Sequence, residues 1–206
     1  MIGVEEQTEF FKLIGSELKK KVECLVVGGS AMMFYGIKTA TKDIDIVFIS
    51  KKEREMFISS LRKLGFEGKF YGKAAIMARK DTRFDLFLGE VIKFKISPGI
   101  LSRIREVHEF HNLFIKVASP EDIILLKCAT DREGDRIDAK SLIEKFEINW
   151  KVIMEEVLWQ MQNGKRIFSL FLYDFLLDLK ERKSDIPKDV LKELKGISER
   201  EMEKLK

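Results

Sequence analysis

Residues 28–30 read Gly28-Gly29-Ser30, and twelve residues later the chain reads Asp43-Ile44-Asp45. Side chains alternate across a strand, so Asp43 and Asp45 share one face while Ile44, Ile46 and Phe48 take the other. Neighbouring carboxylates repel, and a cation between them removes that cost. A third carboxylate, Asp85, stands in Arg83-Phe84-Asp85-Leu86-Phe87. There Phe84, Leu86 and Leu88 alternate inward and Asp85 shares the other face with Arg83. Hard oxygen ligands in this pattern suit Mg²⁺ with a triphosphate completing the shell. Three carboxylates from two strands meet the needs of a two-ion nucleotidyl transfer. One ion orients the triphosphate and stabilises the leaving pyrophosphate; the other lowers the pKa of the attacking hydroxyl. Gly28 and Gly29 let the backbone approach phosphates closely, and Ser30 with the helix start behind it offers O–H and N–H donors. A Gly-Gly-Ser turn or an Asp-x-Asp pair is commonplace by itself. The ordered set is the specific signal.

The elements that must hold these residues can be read from periodicity. Over 5–21, Phe10, Phe11, Leu13, Ile14 and Leu18 recur at helical spacing. Cys24-Leu25-Val26-Val27 is a buried strand that stops at the glycines, and Ser30 can cap a helix from Ala31. A second strand is expected over 44–49 and an amphipathic helix over 52–64, closed by Gly65. Strands over 74–78 and 84–88 flank the polar turn Lys80-Asp81-Thr82, and 107–117 predicts an edge hairpin. At Ser119-Pro120-Glu121-Asp122 the pattern turns helical, with Ser119 as N-cap and Pro120 at the first position. Helices are expected over 120–131, 136–146, 149–163, 166–183 and 187–204. The fold class is therefore α/β (α+β): a mixed twisted sheet over 1–118 as catalytic domain and a helical C-terminal domain over 119–206.

Leu25-Val26-Val27-Gly28-Gly29-Ser30-Ala31 followed by Thr41-Lys42-Asp43-Ile44-Asp45-Ile46 resembles the signature of the DNA polymerase β-like nucleotidyltransferase superfamily. Within it the chain looks most like the minimal and AbiEii-type nucleotidyltransferases of toxin–antitoxin and abortive-infection loci. The likeness continues through Ser119-Pro120-Glu121-Asp122-Ile123-Ile124-Leu125-Leu126-Lys127 and through Arg132, Asp135 and Asp138, covering about residues 22–145. It implies a sheet of the nucleotidyltransferase type with a C-terminal helical bundle, and Mg²⁺-dependent use of an NTP. Asp43 and Asp45 would be metal ligands, and Asp85 the third ligand or the base. A Lys and an Asp found as a late motif in many active toxin-type members fall here at Lys127 and Asp138, which makes Lys127 a nucleotide-binding candidate. Asp135 and Asp138 also lie one helical turn apart, so pairing with Arg132 and Arg136 is the structural alternative.

Charge and composition narrow the partners. The chain has 206 residues, 45% hydrophobic and 35% charged, with a net charge of +4. Such a chain folds as a globule. Between Phe66 and Arg105 nine basic residues face four acidic ones, including Lys69, Lys73, Arg79, Lys80, Arg83, Lys93 and Lys95. The bland alternative is a solvated surface; the functional one is a phosphate-facing flank, which favours an RNA acceptor, the tRNA 3′ end included, over a protein hydroxyl. Two isolated cysteines, Cys24 and Cys128, exclude a disulfide framework or a zinc spacing. The acidic N-terminus lacks the order of a signal peptide, and the apolar stretch 167–179 is too short for a bilayer, so no membrane partner and a cytoplasmic location are expected. His108 and His111 are mis-spaced for a zinc helix motif. The helix over 166–183 is apolar on nearly every side, so it packs within the chain or forms a homodimer or partner interface. The leading function is transfer of NMP from an NTP to an RNA or protein hydroxyl, within a toxin–antitoxin or defence setting with a cognate toxin or antitoxin partner. The alternatives are an antitoxin-like regulatory binding protein of the same fold, or a phosphotransferase using the same metal site.

Overall fold

The structure is a computed structural model and describes residues 1–130 and 132–204. In chain order the elements of the first half are β1 (Ile2–Gly3), α1 (Val4–Glu17), β2 (Val22–Val26), α2 (Gly28–Phe34), β3 (Ala40–Thr41), β4 (Ile44–Phe48) and α3 (Lys51–Lys63). Then come β5 (Glu67–Tyr71), β6 (Ala74–Arg79), β7 (Thr82–Leu88), β8 (Glu90–Val91), β9 (Phe94–Lys95), α4 (Pro98–Arg103), β10 (Val107–Phe110) and β11 (Leu113–Val117). The helices α5 (Pro120–Lys127), α6 (Glu133–Lys145), α7 (Trp150–Gln162), α8 (Phe168–Glu181) and α9 (Lys188–Glu203) complete it. The end expected for the first of these helices, position 131, lies outside the described residues, as do positions 205 and 206 of the C-terminal tail.

The chain divides into two compact units: Met1–Val91 with Arg103–Ala118, and Ile92–Ser102 with Ser119–Lys206. The first unit holds a seven-stranded sheet in the order β10-β11-β2-β4-β7-β6-β5. It is mixed: β11–β2 and β4–β7 are parallel, and the other neighbours are antiparallel. The alternation expected of β4 and β7 is met. Ile44, Ile46, Phe48, Phe84 and Leu86 are all fully buried on one face, and α1 and α3 cover it. Phe10 meets Phe66 and Phe84 edge-on with ring centroids 5.8 and 5.9 Å apart, and Phe57 lies 5.3 Å from Phe48. Each such side chain contributes about 1.5–3 kcal/mol by burial, before packing geometry is counted. α3 starts where the Ser50 hydroxyl accepts the Glu53 N–H and ends before Gly65, whose φ of +83° suits only a residue without a Cβ.

Strand β5 is absent from the sequence reading. All five of its residues are exposed, so it shows no apolar alternation, and only its pairing with β6 makes it a strand.

In the second unit the helices form as expected, and the apolar α8 packs within the chain. Phe168, Leu172, Phe175, Leu176 and Leu179 are buried, beside Val190, Leu191, Leu194 and Ile197 of α9. Phe94 reaches Phe168 at 5.4 Å, so the excursion 92–102 belongs to this core. Among the described residues no helix is long and apolar enough to cross a membrane.

Candidate active site

β2 delivers the chain to Gly28, which adopts φ +60° and turns directly into α2. A Cβ on Gly28 would stand 2.7 Å from Asp45 Oδ2, and one on Gly29 would stand 2.6 Å from Thr41 Oγ1. The two glycines are thus required by close approach to β4 and its entry strand, and at Gly28 by conformation as well. Ser30 is fully buried. Its hydroxyl donates to the Asp43 carbonyl at 3.3 Å, and the Thr41 hydroxyl donates to the same oxygen at 3.1 Å. Ser30 therefore fixes the backbone that presents Asp43. The N-terminus is tied in as well, because Ile2 pairs with Thr41 and Gly3 with Ala40.

The sheet register sets the carboxylates. Asp45 and Asp85 are direct neighbours on the parallel strands β4 and β7, whereas Asp43 stands in the bend just before β4 rather than on the strand expected to carry it. Strand spacing puts such neighbours about 5 Å apart. All three are half-buried, and Arg83 lies on the same face as Asp85. Its Nε donates to Asp85 Oδ1 and its Nη2 to Asp85 Oδ2, both at 2.6 Å. The hydrogen bonds to Asp85 raise the Arg83 pKa above its ordinary value against the opposing effect of burial, and the charges of Asp85, Asp43 and Asp45 add to the rise. One guanidinium therefore sits in the field of all three carboxylates. Among the described residues no group of three or more His, Cys, Asp or Glu side chains is set as a ready metal cage.

Lys127 belongs to the other unit and is buried, 6% exposed. Its ammonium bonds Asp135 Oδ1 at 2.8 Å and Asp138 Oδ2 at 2.6 Å. Arg132 approaches Asp135 at 3.7 Å, whereas Arg136 pairs with Asp178. The main partner of the two aspartates is thus a lysine eight and eleven residues earlier, which spacing on one helix does not reveal. Burial pushes the Asp135 carboxyl upward, but the Lys127 charge and hydrogen bonds outweigh it and hold the group below its ordinary value. A depressed acid stabilises the fold above its unfolded pKa and loses that contribution as pH falls through the folded value. The stability that Asp135 contributes is therefore full above about pH 4 and declines in acid below it. Lys127→Met takes the main partner from the buried Asp138 and the half-buried Asp135 and is expected to cost about 3 kcal/mol in urea unfolding at neutral pH. A variant of unchanged stability that no longer binds NTP would instead assign this ammonium to the nucleotide.

The basic stretch divides between the units. Lys69, Lys73, Arg79, Lys80 and Arg83 lie in the unit that holds Asp85, whereas Lys93 and Lys95 lie in the other. Lys95 donates to the Asn163 carbonyl at 2.6 Å, and Lys93 sits 4.3 Å from the centre of the Phe171 ring. These two make their contacts within their own unit. His108 bonds Glu106 at 2.6 Å and meets the Phe34 ring in a tilted contact with centroids 4.4 Å apart, while His111 occupies a turn at φ +54°. Thr41 is the site residue that sequence reasoning passed over; its place two residues before Asp43 was the available signal.

A family model described as "Nucleotidyltransferase of unknown function (DUF6036)" matches residues 5–176. No curated protein matches the chain. Among solved structures, ANT(2")-Ia in complex with adenylyl-2"-tobramycin is similar at 14% identity and a TM-score of 0.46, over 85% of this chain and 99% of that one. An H. pylori protein described as a nucleotidyltransferase is similar at 15% identity and a TM-score of 0.45, over 98% of this chain and 94% of the other.

Proposed function

The chain belongs to this family of nucleotidyltransferases, and on that premise we propose that it moves a nucleoside monophosphate from an NTP to an RNA hydroxyl, using Mg²⁺ held by Asp43, Asp45 and Asp85. One observation carries the metal reading: Asp45 and Asp85 are direct register neighbours on adjacent strands, and the Arg83 guanidinium bonded to Asp85 also feels the charges of Asp43 and Asp45. A face that holds one positive charge among three acidic side chains is built for charge neutralisation, and its hard oxygens fit Mg²⁺. When bound, two ions would supply activation of the acceptor hydroxyl and stabilisation of the departing pyrophosphate. The chain's own residues do the rest. Gly28 and Gly29 let the backbone pack closely against the Asp45 carboxylate and the Thr41 hydroxyl, where a Cβ would crowd both. Ser30 and Thr41 fix the backbone at Asp43, and Arg83 holds the Asp85 carboxylate by two hydrogen bonds. A reducing, cytoplasmic setting is supported by Cys24 and Cys128, both free and buried. A place in a toxin–antitoxin or defence system rests on the motif resemblance alone.

The test incubates the protein with each of the four NTPs labelled at the α-phosphorus, with Mg²⁺, total RNA and a cell extract. Label should appear on RNA with a preferred NTP. Label on protein alone would replace the RNA acceptor by a side-chain hydroxyl. No label from any NTP would favour the regulatory binding protein.

A further inference from the structure

The face of the sheet that carries the carboxylates continues to its exposed edge, and the register shows what lies along it. Asp45 neighbours Asp85, Asp85 neighbours Ile76, and Ile76 neighbours Lys69. The adjoining row runs Val47, Phe87, Ala74, Tyr71. Directly paired residues point to the same side of a sheet, so Lys69 and Tyr71 of β5 look out over the same surface as Asp45 and Asp85. Phe87, Ala74 and Ile76 between them are half-buried, which makes a shallow apolar shelf. Tyr71 is 58% exposed, and neither its ring nor its hydroxyl has a partner among the described residues. Lys69 is exposed and makes no ion pair there either. Two strand spacings put this edge about 10 Å from Asp85.

An exposed aromatic on an edge strand is a hazard for self-association, and a lone lysine there could serve only to discourage it. Against that, the aromatic and the cation stand on the catalytic face, at the end of a shelf leading from the carboxylates. We propose that the β5–β6 edge is the acceptor platform: it holds the terminal nucleotides of a single RNA strand, one base stacked on Tyr71 and a backbone phosphate at Lys69. The chain end then lies over Ile76 and Phe87, with its hydroxyl at Asp85. The combination of an apolar stacking surface and a cation without a partner favours single-stranded nucleic acid, since every base offers a π-face and every linkage a charge. The inference rests on the transfer reading above for the identity of the acceptor end.

The test measures fluorescence anisotropy of a short labelled single-stranded oligoribonucleotide without NTP, at low and high salt. Tyr71→Ala should weaken binding about tenfold, the size of one lost base stack. Lys69→Gln should lower the slope of log affinity against log salt by about 1. As a control, Lys19→Gln with Lys20→Gln alters a separate groove of about 460 Å³ lined by Lys19, Lys20, Lys52 and Lys63, and should leave the affinity unchanged. If the Tyr71 and Lys69 variants bind like wild type, or the groove variant alone loses binding, the platform is overturned. It is overturned too if the wild type proves to be a dimer that Tyr71→Ala dissociates. Two results separate the readings. A wild type that labels RNA while the edge variants bind normally removes the platform and leaves the transfer standing. Binding through Tyr71 without label on any RNA keeps the platform and removes the transfer.

Discussion

Asp45→Asn should lower nucleotidyl transfer by about 1000-fold or more while the protein melts at or above the wild-type temperature. Its carboxylate is the direct register partner of Asp85 and the side chain nearest the Gly28 turn, so it would be shared between the metal and the phosphate approach. Losing a ligand that stabilises developing charge costs several kcal/mol at the transition state, and each 1.36 kcal/mol is tenfold in rate. Three carboxylates around one guanidinium leave net repulsion, and replacing Asp45 by an isosteric amide relieves part of it. Circular dichroism melts beside the transfer assay check both halves. A variant that unfolds would make Asp45 a structural residue, and one that keeps full activity would remove it from the site.

Gly28→Val should be the most damaging single change in the turn. Its φ of +60° is strained for any β-branched residue, at about 1–3 kcal/mol. The new Cβ would also stand 2.7 Å from Asp45 Oδ2, so Asp45 must move. Denaturant unfolding should show that loss of stability, and transfer should fall to background even where the variant remains folded. Gly29→Val, directed at Thr41, should displace the hydroxyl that bonds the Asp43 carbonyl. Ser30→Ala removes one buried hydrogen bond, about 0.5–1.5 kcal/mol, and should leave a slowed but measurable enzyme. Equal losses from Ser30→Ala and Gly28→Val would show that closeness to Asp45 is not what the glycines provide.

The central strands were legible because burial on one face writes itself as alternation: Ile44, Ile46, Phe84 and Leu86 inward, Asp45 and Asp85 outward. The Gly28 turn was legible because only glycine suits its backbone and its contact. Three features were not. Strand β5 is exposed throughout, so it carries no hydrophobic period. The parallel pairing of β4 with β7, which makes Asp45 and Asp85 neighbours, is a non-local fact that no spacing in the chain encodes. Lys127 was recognisable as a motif residue, but its burial between Asp135 and Asp138 depends on how α5 meets α6. The basic stretch reads as one continuous run, and nothing in it signals that the excursion 92–102, with Lys93 and Lys95, belongs to the other unit.

The most direct measurement of transfer at these carboxylates supplies the same NTP in two forms, labelled at the α- or at the γ-phosphorus, to wild-type protein with Mg²⁺ and RNA. Nucleotidyl transfer predicts that α-label becomes fixed to the acceptor and γ-label leaves as pyrophosphate, both abolished by chelating the metal and by Asp45→Asn. Fixed γ-label with free α-labelled diphosphate would contradict it, and would make the protein a phosphotransferase acting from the same face.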